Sequence, residues 1–595
     1  MKQRSNMPSC WISLLLLFTL VLTACQPIAP IMEEAANEAA NTEAANSESA
    51  QPAVPEVVDP PNILFIVIDD AGYSDFGSFG SEIPTPNLDR LAQSGLTFTN
   101  FHTAPSCSPT RSELLTGQDH HGAGFGNMGE DITDQQRGQP GYEGYLNERT
   151  LPISQLLNDN GYHTYMSGKW HLGRPTEGHI PSNIGFEESV ALVQGFGGHF
   201  GIQPAWPDGD QIYIRNGEPI ELPEDFYSST YYTDNLIEFI ESNRADGQPW
   251  FSFLSYTAPH DPMQAPAEWV EQFDGMYDEG YTAIHDARLE RMIELGIVPA
   301  DTTAAPYPEH IEFAPWEGLS AEEQGRMSKG MEVYAAMIAK LDEEVGRLLT
   351  YLEETGEMEN TWIFTFSDNG PNGEGQNAYF TEDFLDATYD DSEAAIGTAE
   401  SFFLYGGGWG WASATPLRGY KGYPTEGGIR APLFINGPGL ERAGELTANY
   451  AEVTDLYPSV LNLAGIEFPE AHNGVELLPL PGASMIPYAM GLTETVHGEE
   501  AYFGEELWGR ASLRKGDWKI LWLCPPVGTG EWQLFNVSTD LAEVNDLAEE
   551  NPEKLAELVA DYESYVSGLG IIGDLGVLPW DYTAGITEAC PTPGE

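Results

Sequence analysis

Positive charge and cysteine are both scarce in this sequence, and each shortage narrows the reading. Lys and Arg number 25 against 93 Asp and Glu, a formal net charge of −68. A field of that sign repels a phosphate backbone and argues against a nucleic-acid partner. It suits a salty medium, where a short Debye length screens self-repulsion. Only five cysteines occur, and no histidine or thiol is paired at zinc spacing. No internal repeat is visible, and the one early apolar run, Trp11 to Leu22, is too short to span a bilayer.

That run follows Lys2 and Arg4 and ends in Leu22-Thr23-Ala24-Cys25, which resembles a bacterial lipoprotein processing box. The expectation is a signal peptide over 1–24, with Cys25 as the lipid-bearing first mature residue. Several acyl chains would anchor it firmly to the bacterial cell envelope; the alternative is an ordinary cleaved signal. Residues 25–59 are Ala, Glu, Asn and Pro with almost no large apolar side chain, and read as a flexible acidic linker. Of the remaining cysteines, Cys524 and Cys590 are free to pair in an oxidising exterior, which leaves Cys107 as the odd one. The alternative is that all three are small core residues.

Three segments share one scheme. Ile63 to Ile68 is a continuous apolar run that stops at Asp69-Asp70; "WFSFLSYTAPH" stops at His260; "TWIFTFSDNG" stops at Asp368-Asn369-Gly370. Continuous apolar runs mark strands buried on both faces. Helical stretches lie between them, at Ala321 to Glu354 and near Leu151 to Asn160. The alternation predicts an α/β domain whose ligands bind beyond the carboxyl ends of a mostly parallel sheet. Asp69, Asp70, Asp368 and Asn369 then share one edge. They offer hard oxygen ligands, which suit Ca²⁺ or Mg²⁺.

The scarce cations fall in telling places. Arg111 follows Cys107 by four residues. Lys169 and His171 in "SGKWHLG" point to one side if the segment is extended. Lys421 sits in "LRGYKGYPTEGGIRAP", among glycines that allow close backbone approach to a ligand. A dication ringed by cations wants a small, highly charged oxyanion.

Cys107-Ser108-Pro109-Thr110-Arg111 with Leu115-Thr116-Gly117 matches the C-x-P-x-R-x-x-x-L-T-G signature at every fixed position. On this motif, and on "DDAGYSDFGSFG", "GKWHLG", "TAPHDPMQAP" and "SDNGPNGEG", the chain resembles type I sulfatases, most closely bacterial arylsulfatases. The resemblance implies an alkaline-phosphatase-like domain over about 60–490 and a smaller α+β domain over about 495–595. It also implies hydrolysis of a sulfated small molecule or glycan, and a maturation enzyme that converts Cys107 to formylglycine. Asp69, Asp70, Asp368, Asn369 and residue 107 would hold Ca²⁺, with Mg²⁺ the lesser fit, and Arg111 would brace the aldehyde hydrate. Lys169, His260 and Lys421 would hold the sulfate, His260 and Lys421 would stabilise the departing oxygen, and His171 would contact the hydrate. Pro109 is expected as the first helical residue, with Cys107 just outside the helix.

Asp261 and Met263 depart from the close relatives on the leaving-group side. The acidic, aromatic segments 274–318 and 373–411 are expected to rim the pocket. Trp409, Trp411 and Phe403 are either core aromatics or a stacking surface for substrate. Two other functions share these residues: a phosphonate monoester or phosphodiester hydrolase on the same scaffold, and a catalytically silent, calcium-binding surface lipoprotein.

Overall fold

A computed structural model describes residues 60–175, 178–201, 212–308, 314–375, 379–525 and 527–572. The signal peptide, Cys25, the linker and Cys590 lie outside the described residues. In chain order the large sheet comprises β1 (Asn62–Asp69), β2 (Leu96–His102), β3 (His163–Lys169), β4 (Glu188–Leu192), β5 (Tyr213–Arg215), β6 (Glu218–Pro219), β7 (Trp250–Pro259), β8 (Thr361–Ser367), β9 (Arg430–Asn436), β10 (Leu446–Thr447) and β11 (Ala451–Glu452). Their order across the sheet is β10-β2-β9-β8-β1-β7-β3-β4-β5-β6, with β11 also on β2.

The central strands β8, β1, β7, β3 and β4 run parallel, while β9 is antiparallel to both β8 and β2. The strand ends at Asp69, Pro259, Ser367 and Lys169 therefore lie along one edge, as the apolar runs predict. The antiparallel insertion has a second effect. It brings the end of β2 and the start of β9 to that same edge, with His102 opposite Arg430.

Every residue of β1 is buried, because successive side chains enter two different cores. Leu64, Ile66 and Ile68 join one cluster with the helices Ala321–Thr355 and Ser228–Asn243. Ile63, Phe65 and Val67 join the other, with the helix Leu456–Ala464. Phe65 meets Phe251 and Phe364 edge-on, at centroid distances of 5.3 and 5.6 Å; truncating it to Ala would cost about 3–5 kcal/mol. The 35-residue helix Ala321–Thr355 starts at a capping box, with Ser320 and Glu323 satisfying each other's backbone N–H groups. Among the described residues no helix is long and apolar enough to cross a membrane.

After the large sheet comes a four-stranded antiparallel sheet, Tyr502–Leu507, Arg510–Lys515, Trp518–Trp522 and Gln533–Asn536. The helix Pro552–Leu569 packs on it through Leu558 and Tyr562. Cys524 is disulfide-bonded and Cys107 is the free thiol among the described residues.

Candidate active site

The helix carrying the nucleophile candidate starts earlier than the proline suggests. It spans Cys107–Thr116 with Ser106 as N-cap, so Cys107 is its first residue and Pro109 its third. A proline is still tolerated there, because first-turn N–H groups have no intrahelical partner. Cys107 thus sits at the positive end of the dipole, where an anion is favoured. It is 2% exposed.

The strand ends converge on its sulfur. Asp69 Oδ1 lies 3.4 Å and Asp70 Oδ1 3.9 Å from Cys107 Sγ. Lys169 Nζ, at the end of β3, donates to both oxygens of Asp69 at 2.9 and 2.7 Å. Lys421 Nζ donates to Asp70 Oδ2 at 2.9 Å and lies 3.2 Å from His260 Nε2. Asn369 Nδ2 donates to Asp70 Oδ1 at 2.6 Å. Asn369 Oδ1 is buried with no hydrogen-bond partner. Asp69, Asp70, Cys107 and His260 each offer a ligand atom within 4.8 Å of the others.

Arg111 serves the other side of this cluster. Its Nε and Nη2 donate to Asp368 Oδ2 at 3.0 and 2.8 Å. Its Nη1 donates to the Lys169 carbonyl at 3.1 Å and to Ser255 Oγ. Asp368 Oδ1 remains turned to the Asp70 amide, 3.3 Å away. The hydrogen bonds of Arg111 therefore fix a carboxylate and the end of β3.

The charges shift one another. Burial opposes ionisation of the Cys107 thiol, but Lys169 and Lys421, with His171 and His260 beside them, outweigh it and hold the thiol well below its usual range. Burial also opposes protonation of His260, yet Asp70 holds the imidazole well above the usual histidine range. Burial pushes Asp69 and Asp70 upward, against the pull of Lys169 on the first and of His260 and Lys421 on the second.

Two site residues carry backbone strain. Asp70 has φ 66° and His171 φ 56°, conformations that cost a non-glycine residue about 1–3 kcal/mol. Beside Asp70, the Tyr334 hydroxyl donates to Asp75 Oδ2 at 2.6 Å, and its oxygen lies 3.3 Å from the Asp70 carbonyl. Asp75 in turn pairs with Arg288 at 2.6 Å, and Arg288 also pairs with Glu82 at 2.9 Å. Arg288 belongs to the helix Tyr281–Leu295. That part of segment 274–318 thus buttresses the loop after Asp70 instead of rimming the pocket.

The glycines near Lys421 let chain segments approach each other: a Cβ on Gly427 would lie 2.3 Å from the Gly419 carbonyl, and one on Gly428 2.0 Å from the Tyr423 carbonyl. Trp409, Trp411 and Phe403 are core residues. Asp261 is buried, with Oδ1 3.3 Å from His260 Nδ1, and Met263 is part of the core.

Glu130 escaped the sequence reading. Its Oε1 lies 2.8 Å from His171 Nε2, and His171 in turn lies beside Cys107. Glu130 lies in an irregular loop, so no periodicity marks it.

A sequence profile of the sulfatase family matches residues 61–466. The chain belongs to the sulfatase family. It is 39% identical over 434 residues to an arylsulfatase of Klebsiella aerogenes, covering 71% of this chain and 91% of that protein. It is 38% identical over 526 residues to an uncharacterized sulfatase of Schizosaccharomyces pombe, covering 86% and 94%. Among solved structures it is similar to Ps i-CgsB, at 26% identity and a TM-score of 0.61 over 85% of this chain and 93% of that one. Ps i-CgsB has also been solved in complex with k-i-k-neocarrahexaose. The phosphonate monoester hydrolase SpPMH of Silicibacter pomeroyi shares the fold, at 18% identity and a TM-score of 0.53 over 85% and 95%. This sulfatase is thus a sulfuric ester hydrolase with the alkaline-phosphatase-like architecture and a C-terminal sheet.

Proposed function

We propose that this sulfatase cleaves aryl-type sulfate monoesters through a formylglycine made from Cys107, beside a Ca²⁺ ion held by Asp69, Asp70, Asp368, Asn369 and residue 107. The reading rests above all on the convergence of Asp69, Asp70, Lys169, Lys421, His171 and His260 around one buried atom, Cys107 Sγ. The donor set fits a hard cation: carboxylate oxygens plus a buried amide oxygen, Asn369 Oδ1, without a hydrogen-bond partner. Ca²⁺ tolerates such irregular geometry better than Mg²⁺. When bound, the cation supplies Lewis acidity towards a sulfate oxygen and favours the ionised nucleophile. The aldehyde hydrate supplies one hydroxyl to attack sulfur and a second through which sulfate is later expelled.

The remaining roles belong to this chain's own side chains. Lys169, Lys421 and His260 bind the sulfate oxygens. His260, protonated beside Asp70, gives its proton to the departing alcohol oxygen while Lys421 stabilises the charge there. His171, oriented by Glu130, takes the proton whose loss expels sulfate. The physiological substrate is a sulfated small molecule or glycan, and a formylglycine-generating enzyme is the maturation partner. Lipid on Cys25 anchors the exported protein to the bacterial cell envelope.

The test compares catalytic efficiency on aryl sulfates and aryl phosphonates, alongside the mass of the 107 peptide. Sulfate preference with an aldehyde at 107 is expected. Phosphonate preference would reassign the substrate; rapid turnover with an unmodified thiol, or by Cys107→Ser, would remove the formylglycine mechanism. Cys107→Ser should instead stop after one turnover as a covalent sulfate ester, and Cys107→Ala should form none.

A further inference from the structure

Lys421 lies on a loop that has no helix or strand of its own between Pro416 and Thr425. Its Nζ nevertheless reaches Asp70 and His260 at hydrogen-bond distance. The loop must therefore be held from outside. On one side the Lys421 N–H donates to the Pro371 carbonyl at 3.1 Å, and the Gly422 N–H donates to the Pro105 carbonyl at 2.7 Å. These tie it to the loop after β8 and to the segment leading into Cys107. On the other side the partner is the C-terminal sheet. Tyr420 and Tyr423 flank the Lys421–Gly422 pair and pack with Leu521, Leu523, Phe535 and Val537.

Arg510, the first residue of its strand in that sheet, completes the clamp. Its Nη1 donates to the Gly422 carbonyl at 2.5 Å. Its guanidinium lies 3.9 Å from the centroid of the Tyr423 ring, a cation–π distance. Arg510 is 3% exposed. Gly422 has φ 83°, so it has the backbone freedom to rotate if released. With its N–H on the nucleophile segment and its carbonyl on Arg510, it is fixed at both ends.

We propose that Arg510 of the C-terminal sheet is a positioning residue for Lys421, acting through Gly422 and Tyr423. The C-terminal sheet is then part of the catalytic apparatus, although none of its side chains touches the reacting atoms. This inference rests on the proposed role of Lys421 at the leaving group. Misplacement of a catalytic group by about 1 Å can cost a hundredfold in rate.

A double-mutant cycle on the full-length, metal-loaded enzyme tests it, with a series of aryl sulfates of graded leaving-group acidity. Arg510→Gln should lower kcat about 10- to 100-fold on poor leaving groups, with a smaller loss on acidic phenols and little change in KM. In a Lys421→Ala background the same substitution should change kcat less than about twofold, because the two residues act as one unit. Arg510→Lys, which keeps a charge over the ring and a donor near Gly422, should fall between. Should Arg510→Gln fail to fold by thermal melting, Tyr423→Leu takes its place in the cycle with the same expectation. Equal losses in both backgrounds, or a loss independent of the leaving group, would overturn the inference while leaving the sulfatase reading intact. Absence of turnover on every aryl sulfate by the parent enzyme would overturn both.

Discussion

At the scale of single residues, the site separates charge that acts on substrate from charge that holds other charge. Lys421 belongs to the first kind: its Nζ sits between Asp70 and His260. Lys421→Ala should cost about 10²–10³ in kcat, the usual loss for one preorganised electrostatic contact. The loss should shrink as the phenol becomes more acidic. A constant loss across that series would place Lys421 elsewhere in the reaction. Glu130 belongs to the second kind, since it pairs with the far nitrogen of His171. Removing such an outer partner typically costs about 10–100-fold. Glu130→Ala should do so with unchanged metal content, and Glu130→Gln, which keeps an acceptor, should retain more activity; steady-state kinetics beside metal analysis separate these outcomes.

At the scale of elements, the turn after the nucleophile helix meets the C-terminal sheet through His120 and His121. His121 Nδ1 lies 3.0 Å from Asp119 Oδ1 and its Nε2 3.4 Å from Glu506 Oε2. The rings of His120 and Tyr565 and the Glu505 carboxylate also face this point. Burial opposes protonation of His121, but hydrogen bonds to Asp119 and Glu506 prevail and raise it to about 9. Its folded value thus exceeds the unfolded value of about 6.5. The stabilisation, about 3 kcal/mol, is complete below about pH 6.5 and is lost as pH rises through about 9. Thermal melting should show Tm falling across that window, and His121→Gln should flatten the fall; an identical fall in the variant would remove His121 as its cause. What the sequence made legible at this scale follows from periodicity. The runs ending at Asp69, His260 and Asp368 read as buried parallel strands because every residue is apolar or small, and parallel strands must end at one edge. The edge geometry then brought Asp69, Asp70, Asp368 and Asn369 together as expected. The antiparallel β9 was not legible, since "RAPLFIN" carries no mark of direction. Nor were Arg288 and Arg510, whose partners lie 213 and 88 residues away in sequence; a pattern read within short windows has no access to such pairings.

At the scale of the whole molecule, the charge imbalance of the composition is carried mainly on the surface. Arg111, Lys169, Arg288, Lys421, Arg430, Arg510, Arg514 and Lys519 are all buried, so part of the small stock of cations is spent inside. Lys519, for instance, pairs with Glu426 and Glu543 at 2.8 Å each. Acidic side chains therefore dominate the exterior of a chain whose net charge is −68. Their mutual repulsion opposes the compact state more than the unfolded chain, where the same charges lie further apart. Screening should relieve it: the Debye length falls from about 10 Å at 0.1 M salt to about 3 Å at 1 M. The buried ion pairs of the site, shielded from solvent, should be affected far less. The expected outcome is that Tm rises with NaCl over this range. A neutral osmolyte at matched osmolality should not reproduce the steep part of the rise at low salt, because it screens no charge. A Tm that falls with salt would mean that surface ion pairs such as Arg215–Glu238 and Arg347–Asp234 outweigh the repulsion, and would remove the saline-medium reading of the composition.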